Sequence, residues 1–206
     1  MNENHAMLCS SPGWAEMIRT EMLPPLVRDV DLGQDMLEVG PGPGAATEWL
    51  RHQVRHLVAL EVDGTAAGLL ERTYAGSNVE VVVGDASAMD FPDASFDSVG
   101  SFTMLHHVPT ATAQYMVLSE AFRVLRPGGV LVASDSLASD ELHRFHVDDV
   151  YNPVDPSTLL VLLRALGFSR VTVCVDRALG VVARKPDNHT ENSGTENSCT
   201  EKGPAS

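Results

Sequence analysis

Cysteine is scarce in this chain, with Cys9, Cys174 and Cys199 the only three among 206 residues. Their odd number and wide separation argue against a disulfide framework and a compact thiolate metal site, and three free thiols are expected. Positive charge is also scarce. Fourteen Lys and Arg face 28 Asp and Glu, and the resulting net charge of −14 repels a phosphate backbone, because nucleic-acid affinity rests on cationic side chains that displace counterions. DNA and bulk RNA are poor partners. No apolar run approaches the roughly 18 residues that span a bilayer, and the opening MNENHAMLCS has no apolar signal core. A cytoplasmic protein without membrane association is therefore expected. Aromatic residues make up 5% of the chain, little with which to sandwich a flat aromatic ligand.

What is present is an ordinary globular composition, 44% hydrophobic and 20% charged, at a length that suits one domain with a sizeable core. From residue 36 to 184, short apolar runs alternate with longer amphipathic stretches, the pattern of an α/β sandwich. Strands are expected at 36–39, 57–62, 79–83, 98–102, 130–134, 171–175 and 180–183, with helices at 45–53, 65–74, 111–125 and 156–166. The last two strands are too close for a helical crossover and must pair antiparallel. The expected fold is a seven-stranded, mostly parallel sheet with an antiparallel C-terminal hairpin and helices on both faces. Residues 1–35 read as a helical cap at a pocket edge, broken by Pro24-Pro25. Residues 36–184 form the main domain, and the polar tail 185–206 has too little apolar surface to offset its ordering entropy and reads as disordered.

The most informative segment is Leu37-Glu-Val-Gly-Pro-Gly-Pro-Gly44, which ends a strand, turns sharply and opens a helix. Its glycines let the backbone approach a ligand where a Cβ would clash. Gly40, Gly42 and Ala45 also fit the looser G-x-G-x-x-A spacing of nicotinamide enzymes, so the glycines alone leave two cofactor classes open. Acidic residues then follow in a fixed order, Glu61 ending the second strand and Asp85 the third.

With these motifs in register, the stretch 36–184 resembles the class I S-adenosylmethionine-dependent methyltransferase family, in its small-molecule branch, with a Rossmann-like fold. The resemblance implies that Gly40, Pro41, Gly42 and Gly44 hold the methionine end of the cofactor and that Glu38 orients its amino group. Glu61, followed by Val62, would grip the ribose hydroxyls, in preference to Asp63. Asp85 would accept the adenine amino group, with the Ala86 backbone reading the ring edge, and Ser101 would line the methyl-transfer side. The turn at Pro127-Gly-Gly129 corresponds to a structural element of the family.

A hydroxyl acceptor needs a base, and histidine is suited to the task. His106, in Met104-Leu-His-His-Val108, aligns with the catalytic histidine of an L-H-D-W stretch in small-molecule O-methyltransferases, with His107 and Val108 replacing Asp and Trp. His143 and His146 lie in a polar excursion, residues 136–155, of the kind that forms lids. Asp135, His143, Asp148 and Asp149 are the candidate donors to a Mg²⁺ ion, although no spacing signature assigns a metal. The stretch SFTMLHH lacks the N/D-P-P-Y motif of nucleic-acid amino-methyltransferases and the glutamate pair of arginine methyltransferases. The expected reaction is O-methylation of a small or polyhydroxylated, glycan-like acceptor, in a shallow pocket that a second copy of the chain would complete. Carbon or nitrogen methylation, and a cofactor-binding regulatory module without turnover, are the alternatives.

Overall fold

A computed structural model describes residues 2–187. Seven strands form one sheet in the order β3-β2-β1-β4-β5-β7-β6: β1 (Asp35–Val39), β2 (His56–Glu61), β3 (Val79–Val83), β4 (Phe96–Phe102), β5 (Leu125–Asp135), β6 (Ser169–Val175) and β7 (Leu179–Arg184). Strands β1 to β5 pair in parallel, and β7 runs antiparallel between β5 and β6. The expected architecture is borne out, each strand falling on its apolar run.

Alternate residues of the strands feed two core layers. Leu37 and Val39 of β1 pack with Val99, Leu131 and Ala133 beneath α6 (Ala111–Val124) and α8 (Pro156–Ala165). Met36, Leu57, Val130 and Val132 face the other way, toward α4 (Thr47–Leu50) and the N-terminal helices. The helices begin where the sequence supplies caps. Asp63 accepts N–H bonds from Thr65 and Ala66 to start α5 (Gly64–Thr73), Thr110 starts α6, and Asp155 starts α8 with Pro156 in its first turn. Gly167, at φ +102°, ends α8 with the paired bonds Gly167 N–H to Arg164 O and Phe168 N–H to Leu163 O.

Several details depart from these expectations or add to them. Residues 12–27 add a core layer: α2 (Pro12–Met17), a π turn (Ile18–Met22) and α3 (Leu23–Val27) run on as one helical stretch, in which Ile18 and Leu23 are fully buried. The wide turn is how the helix accommodates its prolines. Pro24 and Pro25 donate no N–H, and the Leu23 N–H reaches back five residues to Ile18 O. The expected helix at 45–53 shrinks to α4, tightened by i to i+3 bonds such as Trp49 N–H to Ala46 O. The tail does not loosen at residue 185. Lys185 pairs its backbone with Gly128 and Gly129 and donates its ammonium to Phe122 O and Leu125 O at the end of α6; residues 188–206 lie outside those described. Cys9 is a free thiol, as expected, and Cys199 lies outside the described residues. Two short helices complete the chain, α1 (Glu3–Cys9) and α7 (Asp140–Phe145).

Candidate functional site

Open α/β sheets bind ligands beyond the carboxyl ends of their strands, where the strand order reverses. Here that crevice lies between β1 and β4, and the glycine turn leaves β1 directly into it. Val39 is in register with Leu60 on one side and Ser101 on the other. The three glycines of the turn all have positive φ but are required for different reasons. A Cβ on Gly40 would collide with Met104 Cγ, and one on Gly44 would lie 2.9 Å from Leu70 Cδ2 and 3.0 Å from the Tyr74 hydroxyl. A Cβ on Gly42 would meet nothing within 4 Å. Gly40 and Gly44 thus serve close packing, while Gly42 faces open space. Pro41 is buried between them.

Two carboxylates flank the turn. Glu38 is fully buried in β1 and accepts the Thr47 hydroxyl at 2.6 Å. Burial, and then the neighbouring Glu61 charge, push its pKa up to about 7, the Thr47 bond partly opposing. Glu61, at the end of β2, accepts the Gly42 N–H at 3.1 Å and the Asp63 N–H at 3.0 Å. Asp63 itself is committed to capping α5, which leaves Glu61 as the acid on the turn. Val62 is exposed beside it. Past β3, Asp85 is exposed and accepts Ser87 N–H and Oγ at 2.8 Å, with Ala86 half-buried.

The acceptor side of the edge holds a group of imidazoles. His106 lies in a 3₁₀ turn (Leu105–His107) after β4, buried against Asp135 at the end of β5. Its Nδ1 is 2.5 Å from Asp135 Oδ1, and its backbone N–H donates to Asp135 Oδ2 at 3.1 Å. His107 follows, His146 caps α7, and His5 arrives from α1. Asp149 binds His5 Nδ1 at 3.2 Å and the Asn2 N–H at 2.9 Å. Burial, reinforced by His106 and His5, pushes His107 down to about 4. Burial also lowers His5, against the opposing pull of Asp149.

Tyr151 stacks on His146 at 4.5 Å between ring centroids. Among the described residues, three buried side-chain polar atoms lack a partner, Ser101 Oγ, His146 Nε2 and the Tyr151 hydroxyl. All three belong to this edge. An unpaired buried polar atom costs about 1–3 kcal/mol, so their concentration here marks a surface shaped for something polar. Next to the imidazoles lies a cleft of about 540 Å³ whose lining includes Leu8, Leu137, Leu142, Phe145, Ser136 and Arg177.

Of the sequence candidates, the structure brings Glu38, Gly40, Pro41, Gly42, Gly44, Glu61 and Ser101 to one crevice and places His106 and His146 beside it. His143 is exposed on α7 and is not among the converging imidazoles, meeting them only through the Tyr151 ring. The oxygen-rich Mg²⁺ set is not assembled. Asp135 and Asp149 are engaged with His106 and His5, and Asp148 is exposed in a left-handed conformation at φ +62°. His5, which no local motif singles out, was missed, and so was the convergence of His107.

Residues 37–133 match the methyltransferase domain family. A probable S-adenosylmethionine-dependent methyltransferase of Mycolicibacterium smegmatis is 33% identical over 102 residues, covering 50% of this chain and 38% of that protein. A fatty-acid O-methyltransferase of the same organism is 32% identical over 106 residues, again 50% of this chain and 38% of its own length. The chain thus spans well under half the length of these relatives. The solved structure of the PH0226 protein of Pyrococcus horikoshii superposes with a TM-score of 0.75 at 17% identity, covering 90% of this chain and all of that one. With the turn, the strand-end acids and the sheet order in place, residues 37–133 carry a methyltransferase domain, similar to that of S-adenosylmethionine-dependent methyltransferases.

Proposed function

We propose that the chain transfers a methyl group from S-adenosylmethionine to an oxygen of a small amphipathic acceptor, a hydroxyl or a carboxylate. The cofactor supplies an electrophilic methyl on a sulfonium. The protein's tasks are to align it with the nucleophile and to exclude water.

On the cofactor side, the residues present fit the group. Glu38 is a buried carboxyl that gains from a cationic ammonium, Gly42 leaves room for close approach, and Glu61 is a bidentate acceptor for a pair of hydroxyls. Asp85 and the Ala86 backbone are assigned to the adenine edge, with Val62 beside the ribose. Ser101 offers an unpaired hydroxyl toward the methyl-transfer side.

The observation that carries the acceptor class is the cleft. Leu8, Leu137, Leu142 and Phe145 give it an apolar lining, to which Ser136, Ser139, Glu141 and Arg177 add polar groups. It abuts the imidazoles directly: the Phe145 ring is 5.3 Å from His5 and 5.4 Å from His146, and the Ser136 N–H donates to the carboxylate that holds His106. Such walls favour an acyl or isoprenoid body over a polyhydroxylated one, which narrows the glycan-like expectation. A relative that is a fatty-acid O-methyltransferase points the same way. Removal of a hydroxyl proton falls to the imidazole group, in which His106, held by Asp135, is the best oriented. The test is a turnover screen with isotopically labelled cofactor against fatty acids, hydroxylated lipids and sugars. Label in the first two classes supports the reading, and label only in sugars overturns it.

A further inference from the structure

One ring nitrogen from each of His5, His106, His107 and His146 lies within 4.8 Å of the other three. The second nitrogens explain why. His106 Nδ1 faces Asp135 Oδ1, His5 Nδ1 faces Asp149 Oδ2 at 3.2 Å, His107 Nδ1 faces Val150 O at 3.2 Å, and His146 Nδ1 faces Leu142 O at 2.7 Å. A carbonyl or carboxylate oxygen only accepts, so all four Nδ1 atoms donate, and in neutral rings all four Nε2 atoms present lone pairs. Those lone pairs converge with no donor among them. His146 Nε2 is buried and without a partner. Protonating several rings would set cations against each other in a buried pocket. The arrangement is completed by a cation.

We infer that His5, His106, His107 and His146 form a binding site for a divalent first-row transition metal, Zn²⁺ foremost, with Asp135, Asp149 and the Val150 and Leu142 carbonyls orienting the imidazoles. Nitrogen donors suit Zn²⁺ and its neighbours rather than Mg²⁺ or Ca²⁺. A ring nitrogen bound to a carboxylate or carbonyl while the other meets the metal is the usual support for a histidine ligand. Four Zn–N bonds of about 2.0–2.1 Å place tetrahedral donors roughly 3.3 Å apart, so the rings need close by only a fraction of their present spread. The ligands come from α1, the turn after β4 and the end of α7. The ion therefore ties the N-terminal helix to the acceptor wall of the cleft. With four imidazoles in a tetrahedral shell the site is closed, so the ion would hold the acceptor wall in place rather than bind the acceptor oxygen, and His106 would serve there as a ligand.

The inference does not rest on methyl transfer, and its test reads metal alone. Full-length protein stripped with chelator is titrated with Zn²⁺ against a chromophoric chelator and with Co²⁺ by visible absorption. Far-UV circular dichroism checks the fold of each variant. One equivalent of Zn²⁺ is expected, with a Co²⁺ spectrum showing nitrogen coordination and a melting temperature raised by the ion. His5→Ala and His107→Ala, folded by circular dichroism, should weaken binding at least a hundredfold. Asp135→Asn, a change at a positioning residue, should weaken it about 10–100-fold, and His56→Ala, at the half-buried start of β2, should not change it. Binding well below one equivalent by the wild type, or equal affinity in folded His5→Ala and His107→Ala, would overturn the site.

Discussion

Cofactor affinity should follow the ionisation of Glu38. Its carboxyl is held up to about 7 by burial, against 4.5 for the ordinary group, and a cofactor ammonium beside it needs the ionised form. When only a fraction of the protein is binding-competent, apparent affinity falls by that fraction. For a pKa near 7 the ionised fraction drops from about 0.8 at pH 7.5 to about 0.03 at pH 5.5, a weakening of about 25-fold, or about 2 kcal/mol. Above about pH 8 the α-amino group itself loses its charge, so affinity should peak between the two.

The sign for the free protein is opposite. A carboxyl raised on folding binds its proton more tightly in the native state, so between pH 4.5 and 7 stability falls as pH rises, by an amount on the order of 3 kcal/mol over the full shift. Isothermal titration of S-adenosylhomocysteine from pH 5.5 to 7.5, in buffers of different ionisation enthalpy, measures both affinity and protons released. Close to one proton should leave on binding at pH 6, and few at pH 7.5. Glu38→Gln keeps an acceptor for the Thr47 hydroxyl and should bind weakly with little pH dependence below 7. A flat wild-type profile, or an undiminished slope in Glu38→Gln, would refute the assignment.

The glycine turn gives a second contrast. Gly42→Ala should fold, at a cost of about 1–2 kcal/mol for its left-handed backbone, and lose cofactor affinity. Gly40→Ala, whose Cβ would strike Met104, should lose thermal stability first; melting curves with and without S-adenosylhomocysteine separate the two. Glu61→Ala should weaken cofactor binding by about 10–100-fold, the worth of charge-assisted hydrogen bonds, as read by titration at pH 7.5. His106→Ala should leave cofactor binding within about threefold and lower turnover by about 10²–10⁴, measured as S-adenosylhomocysteine formed per minute. Leu8→Asp, at an exposed rim of the cleft, should raise KM for an apolar acceptor at least tenfold with little change in melting temperature.

The cofactor half of the site was legible because its signals are local. Glu38, the glycines and Ala45 share one turn, and Glu61 and Asp85 each end an apolar run, so strand periodicity alone brings them to one edge. The acceptor half was not. His5, His107 and His146 are joined only by the docking of α1 and α7, and nothing in their spacing resembles a helical or hairpin ligand pair. His143 looked equivalent to His146 in sequence, yet the short α7 turns His143 to solvent and His146 inward. The π turn before Pro24 and the anchoring of Lys185 were hidden for the same reason, since each depends on partners supplied by packing.

The proposed reaction is methyl transfer to an oxygen of an amphipathic small molecule. Incubating the protein with methyl-deuterated S-adenosylmethionine and a lipid-rich cell extract, then reading the labelled products by mass spectrometry, tests it most directly. One dominant labelled methyl ester or ether of a largely apolar metabolite is expected, formed with an equal amount of S-adenosylhomocysteine. Label confined to sugars, to nucleic acid or to carbon would contradict it.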